Sequence, residues 1–173
     1  MTALSADRSP VENFIRGKTR VEGRAPIVTS ATVYLGTILV RRTTTGRVKA
    51  AGVVTAANWR IGPGVVTGFY STANGNNETA GVGDTSGTVY AKYTLPEEVL
   101  VNIRTAIRTN TALGTQVILS DDVTVGGTAV GTNTGLNQII AGNLAAWDDE
   151  TGTTKTKGWL QLMQTGMGAK ITL

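Results

Sequence analysis

The chain is expected to fold as an all-β protein: a small β-barrel or sandwich of short strands with an extended N-terminal arm and a C-terminal tail. Threonine is the commonest residue, glycine follows with 22, and only 16% of the 173 positions are charged, a composition that favours strands and turns over charged helices. Apolar runs are short and β-branched, and clusters of Gly, Asn, Asp and Pro separate them at short intervals. No strand–helix–strand alternation argues for a parallel sheet. With 40% apolar residues the chain can bury one core but not two large ones, so it divides into an arm, 1–28, a β-rich domain, 29–165, and a tail, 166–173.

In the arm, Leu4, Val11, Phe14, Ile15, Val21 and Ile27 fit neither a helical nor an alternating template, and Pro10 and Pro26 interrupt its ends. It reads as an extended segment, either a disordered, solvated tail or one ordered by lying along a partner. Phe14 and Ile15 would be its anchor, with Arg16, Lys18 and Arg20 as a charged flank. The opposite reading, in which Phe14 and Ile15 cover the chain's own core, stays open beside it. Residues 1–60 carry ten basic and three acidic side chains, so the net +4 of the chain conceals +7 here and −3 in the remainder. A basic first third suits an acidic surface, whether protein or nucleic acid.

The domain reads as successive hairpins. Thr32–Tyr34 and Thr37–Arg41 are β-branched, and Thr43-Thr44-Thr45-Gly46 turns the chain into Arg47–Ala50. Ile61-Gly62-Pro63-Gly64 signals another turn before the short buried strand 65–70, and 71–87 reads as a loop. Thr88–Tyr93 resumes a strand with Val89, Ala91 and Tyr93 on one face. Leu95–Asn110 admits two readings. Pro96-Glu97-Glu98 could open a helix, whereas alternating Val99, Val101 and Ile103 favour a strand over 98–104 followed by an irregular connection. Gln116–Leu119 and Val123–Val125 flank the turn at 120–122, and 126–135 is a glycine-rich loop. Gln138–Trp147 and Lys157–Met163 form the last pair, with Trp147 and Trp159 assigned to the core.

The chain has neither cysteine nor histidine, which removes disulfides, thiolate metal sites, histidine metal sites and every triad built on imidazole. The glycines at 75–87 lack the Lys-Ser/Thr pair and following helix of a phosphate loop. Asp121-Asp122 and Asp148-Asp149-Glu150 lack the alternating acidic spacing of a calcium loop and suit turn capping instead. A two-carboxylate glycosidase passes the composition filter, but no pair can be located from the sequence. No run approaches the roughly 18 apolar residues of a membrane helix. The opening residues lack the positive-then-apolar order of a secretory signal, so synthesis in the cytoplasm without Sec export is expected. Trp59-Arg60, beside the Gly62-Pro63-Gly64 turn, is a second interface candidate, because aromatic and arginine residues are enriched at interface centres; a plain core tryptophan is the alternative.

The order of the segments resembles the capsid decoration, or structural cement, proteins of tailed bacteriophages. Met1–Arg8 is similar to their opening, Tyr34-Leu35-Gly36-Thr37-Ile38-Leu39 and Gly46-Arg47-Val48 to their first strands, and Gly64-Val65-Val66-Thr67-Gly68 to the next element. The stretch Leu113–Val125, then Ile140-Ala141-Gly142 and Trp159-Leu160-Gln161-Leu162, resembles the remainder. The resemblance implies a non-enzymatic virion protein without catalytic group, cofactor or metal. Such a protein would bind the outer surface of the capsid in many copies, bridging subunits of the major capsid protein and stabilising the expanded shell by mass action. It further implies a homo-oligomer, with a trimer at threefold positions as one form, and no membrane partner. Arg16, Arg20 and Arg24 would meet carboxylates of the major capsid protein. Two alternatives stand beside this: a nucleic-acid-binding β-barrel module using the basic arm, and a carbohydrate-binding viral fibre component.

Overall fold

Residues 89–103 contain a single proline, no glycine and the closing run Val99-Leu100-Val101-Asn102-Ile103, suited to a strand buried among neighbours on both sides. It becomes the spine of the protein. The computed structural model describes residues 4–8, 13–51, 59–77, 81–128, 138–148, 154–162 and 170–171. These hold thirteen strands: β1 (Ile15–Pro26), β2 (Thr32–Val33), β3 (Ile38–Arg42), β4 (Val48–Ala50), β5 (Trp59–Ser71), β6 (Gly75–Asn77), β7 (Gly81–Val82), β8 (Val89–Ile103), β9 (Gln116–Leu119), β10 (Thr124–Thr128), β11 (Gln138–Trp147), β12 (Lys157–Leu162) and β13 (Lys170–Ile171). Two single-turn 3₁₀ helices, Thr105–Ile107 and Asn110–Ala112, link β8 to β9. The protein is all-β, as expected.

β8 is paired on both edges. Leu100, Asn102 and Arg104 donate their N–H groups to the carbonyls of Phe14, Val123 and Val125 on one edge, while Ile103 donates to Thr156 on the other. Consequently β1 and then β10 follow one edge, and β5 and then β12 follow the opposite edge. At the C-terminal half of β8 the order β10-β9-β11-β12-β8 returns to β10, which closes a five-stranded barrel. At the N-terminal half the sheet continues through β5, β3 and β4, with β6 folded back on β5. This second lobe closes by less: an isolated bridge joins Ile27 to Val48, and the short β2–β7 ladder lies separately.

Each lobe has its own core. Val99, Val101, Ile103, Val117, Leu119, Val125, Leu144 and Leu160 fill the barrel side, while Ala25, Ile27, Val33, Leu39, Val48, Val66, Phe69 and Ala91 fill the other. The two communicate through alternation. Ile38 and Val40 of β3 and Val65 of β5 join the barrel-side core, whereas Leu39 and Val66 point the other way. A strand buried on both faces reads as a continuous apolar run, which is why Ile38-Leu39-Val40 carries no polar position.

Several sequence expectations need correction. Residues 15–26 are not a separate arm: they form β1, paired with β8 from Ile15–Val99 to Pro26–Tyr90. The turn expected at 61–64 is instead continuous strand. Between the pairs Val40–Ile61 and Ile38–Val65, residues 62–64 oppose Leu39 alone, so Pro63, with no N–H to donate, falls in a bulge. Gly64, at φ 154°, lets the backbone approach so closely that a Cβ there would lie 2.0 Å from the Thr94 carbonyl oxygen. The loop at 71–87 contains β6 and β7, and Arg47 ties down its far end by donating to the carbonyls of Asp84 at 2.9 Å and Thr85 at 2.9 Å. Residues 126–128 extend β10, while 129–137 lie outside the described residues. Of the tail, 170–171 form β13 against β11. The strand reading of 98–104 agrees with β8, which begins earlier, at Val89, and runs through Pro96.

Candidate protein-interaction face

β1 is an edge strand whose side chains at 16–19, 22 and 24 are exposed. Among the described residues its one strand partner is β8. Two register shifts between Arg16 and Val21 break the ladder, and Gly17, at φ 77°, occupies the irregular stretch. Glu97 packs over that glycine and accepts the N–H of Lys18 at 3.3 Å. Charge, bulge and glycine together are how proteins guard an edge against pairing with another copy of itself.

The cations near this edge rest on aromatic rings. Arg16 forms an ion pair with Glu98 and places its guanidinium carbon 4.2 Å from the Trp159 ring centre. At the other end of β1, Arg24 lies 4.1 Å over Tyr70, which meets Tyr90 edge-to-face at 5.9 Å. Lys49 sits 4.6 Å over Trp59 and Lys155 5.6 Å over Trp147, so all three tryptophans of the chain carry a cation. Exposed contacts of this kind contribute about 0.5–1 kcal/mol each and hold long cationic side chains against a rigid plate.

The residues singled out from the sequence separate into two groups. Phe14 is 1% exposed and belongs to the barrel-side core, with Ile15 packed against the same cluster. The reading of Phe14 as an anchor for a partner is therefore corrected: burying an aromatic this large drives β1 onto its own sheet. Trp59 is half-buried against that core, and so are Trp147 and Trp159, which line its rim. Arg16, Lys18 and Arg24 are exposed. Arg20 and Arg60, described by backbone alone, stand in β1 and β5, with Arg60 opposite Arg41.

A buried polar cluster went unnoticed in the sequence. Asp122 is 1% exposed, accepts the Leu4 N–H at 3.0 Å and the Thr37 hydroxyl at 3.2 Å, and its own carbonyl accepts Ile38 N–H at 2.9 Å. Burial pushes its carboxyl above the ordinary value. Arg8 lies beside it, donating Nη2 to the Leu100 carbonyl at 3.0 Å and stacking 4.7 Å over Phe14. Burial lowers the Arg8 pKa, against the favourable charge of Asp122. Arg8 N–H donates to Leu35 O at 3.1 Å, and Leu35 N–H to Asp7 Oδ1 at 2.7 Å, so residues 4–8 are strapped across the junction of the lobes. Gly36 leaves room for the arginine stem. Nothing in the local pattern marks Leu4, Arg8 and Asp122 as neighbours. Of the acidic pair at 121–122, Asp121 caps the turn as expected, accepting Val123 N–H at 3.0 Å, whereas Asp122 turns inward instead of keeping the turn solvated.

Among the described residues no three acidic side chains converge as a metal site requires, and no helix is long and apolar enough to cross a membrane. No family model, curated protein or solved structure matches the chain.

Proposed function

We propose that this chain is a non-enzymatic decoration protein of a tailed-phage capsid, bound to the outer surface of the shell and bridging subunits of the major capsid protein. The observation that carries the reading is the cationic strand β1, its Arg16, Lys18 and Arg24 exposed on a sheet fixed from both edges of β8. Arg16 on Trp159 and Arg24 on Tyr70 are arginine–aromatic pairs of the kind enriched at interface centres. The segments that carry the family resemblance support it further, since they run through β3, β4, β5, β9, β10, β11 and β12 in chain order. Binding free energy available only on the shell would then stabilise the shell against internal pressure.

Truncation is the wrong test. Removing residues 1–28 would take away β1 together with buried Phe14, Ala25 and Ile27, and so unfold the lobe that the experiment needs. Charge reversal at exposed positions avoids this. Purified protein should bind expanded capsids lacking it in a saturable way, co-sediment with them and raise their melting temperature, and Lys18→Glu should weaken that binding while leaving the melting of the free protein unchanged. Absence of binding by the intact protein would overturn the proposal.

A further inference from the structure

We infer that the groove between β1 and β5, floored by β8, is the subsite that receives an aspartate or glutamate side chain from the partner protein. It is an open groove of about 410 Å³ lined by Glu22, Gly23, Arg24, Thr67, Lys92 and Tyr93. Its floor is shaped by cross-strand pairing. Gly23 faces Tyr93, whose ring takes the place of a side chain at 23, its hydroxyl 2.6 Å from where a Cβ would stand, and Gly68 faces Lys92, whose stem passes over the glycine.

The charge arrangement selects the ligand. Arg24 and Lys92 are directly opposed residues of β1 and β8, a like-charge juxtaposition that costs stability across a ladder. Glu22, two positions along the same strand, supplies one carboxylate for the two cations, so the groove holds one uncompensated positive charge. Arg24 is stacked by its face on Tyr70, and stacking leaves the in-plane N–H donors of a guanidinium to grip an acceptor. Lys92 is steadied from the far side by Asn76 Oδ1 at 3.5 Å. A single incoming carboxylate completes this pattern. A phosphodiester chain does not, because its unbroken negative charge would run against Glu22. That the carboxylate comes from a capsid subunit rests on the decoration reading; the chemistry of the groove does not.

The test is an amide-shift titration of the ¹⁵N-labelled full chain at low salt. The probes are an acetylated, amidated tetraglutamate and an oligothymidylate of equal charge. Tetraglutamate should give saturable shifts at Gly23, Thr67 and Tyr93 with roughly millimolar affinity, weakened at least about tenfold in Arg24→Glu and, with less change of charge, in Lys92→Gln. The spectra themselves report whether each variant is folded. No saturable shift at these residues, shifts undiminished in both variants, or tighter occupation by the oligothymidylate would each overturn the inference. The same variants should lose capsid binding by a similar factor. If the intact protein ignores capsids while tetraglutamate still occupies the groove, the decoration reading falls and the groove assignment stands.

Discussion

The two lobes that share β8 are built from similar strands but held by different means. In the barrel, every strand of the closed circuit is hydrogen-bonded to a neighbour on each side, and branched aliphatic residues make up most of the interior. In the second lobe the circuit is completed by isolated bridges at Ile27–Val48 and Thr29–Gly83 and by Arg47 reaching to the 84–85 carbonyls, while the strap of residues 4–8 crosses the junction. The barrel strands use their edges for closure, whereas β1, which runs along both halves of β8, and the groove beside it face solvent. Closure and availability for binding are competing uses of a strand edge, and here the barrel strands take the first and β1 the second.

Disrupting the barrel should therefore produce the largest effect. Gly142, at φ 153°, sits where β11 bulges, and a Cβ there would lie 1.8 Å from the Gln161 carbonyl oxygen. Gly142→Ala should cost on the order of 4 kcal/mol in urea unfolding, by backbone strain plus collision with an immobile atom. A loss under about 1 kcal/mol would mean that the barrel tolerates opening there and that the contrast between the lobes is wrong.

Phe14→Ala comes next, because Phe14 pins the start of β1 into the barrel-side core. A loss of about 3–4 kcal/mol is expected, with hydrogen exchange accelerating first along β1. If exchange rises equally in β9–β12, the lobes are one cooperative unit.

Acid separates the lobes differently, because two carboxyls are shifted in opposite directions. The Thr88 hydroxyl, at 2.5 Å, and then the N–H groups of Thr88 and Val89 hold Asp84 below the ordinary carboxylate value. Its folded form binds a proton less readily than its unfolded form. Its contribution is thus present above about pH 4 and lost as pH falls through the lower, folded value. Asp122, raised by burial, has the reverse sign: its contribution is complete below about pH 4 and is lost as pH rises through the higher, folded value. Asp84→Asn should flatten the acid limb of the stability profile. Asp122→Asn, which can still accept from Leu4, should flatten the opposite limb and leave the protein at least as stable near neutrality, as followed by denaturant unfolding from about pH 3 to pH 8.

The smallest effect is expected at Arg16. Its side chain is 44% exposed and its partner Glu98 15%, so Arg16→Ala should cost about 1 kcal/mol or less, a loss that shrinks in high salt as the ion pair is screened and leaves the Trp159 contact as the remainder.

The exposed cations at 16, 18 and 24 were legible because charge is a property of composition, and their exposure follows from the cost of burying it. The groove was not legible. Arg24, Lys92 and Thr67 lie on three strands, and only the register of β1 and β5 on β8 makes them neighbours. Phe14 was ambiguous for the same reason, since an aromatic beside a basic run serves a partner or a core equally well until the strand has a place to pair. The strap had no local signal at all, as Leu4 and Asp122 are 118 positions apart.

From the sequence alone follow the all-β class, the hairpins at 38–50 and 116–125 and the closing pair β11–β12, because period-two alternation and turn chemistry are local properties. The tertiary structure alone decided that 15–26 is a sheet strand, that Gly62-Pro63-Gly64 bulges instead of turning, and that one strand serves two cores. Pairing partner and register are settled by backbone hydrogen bonds between distant segments, which the local side-chain pattern does not encode where a strand turns charged side chains to water, as β1 does at 16, 18, 22 and 24.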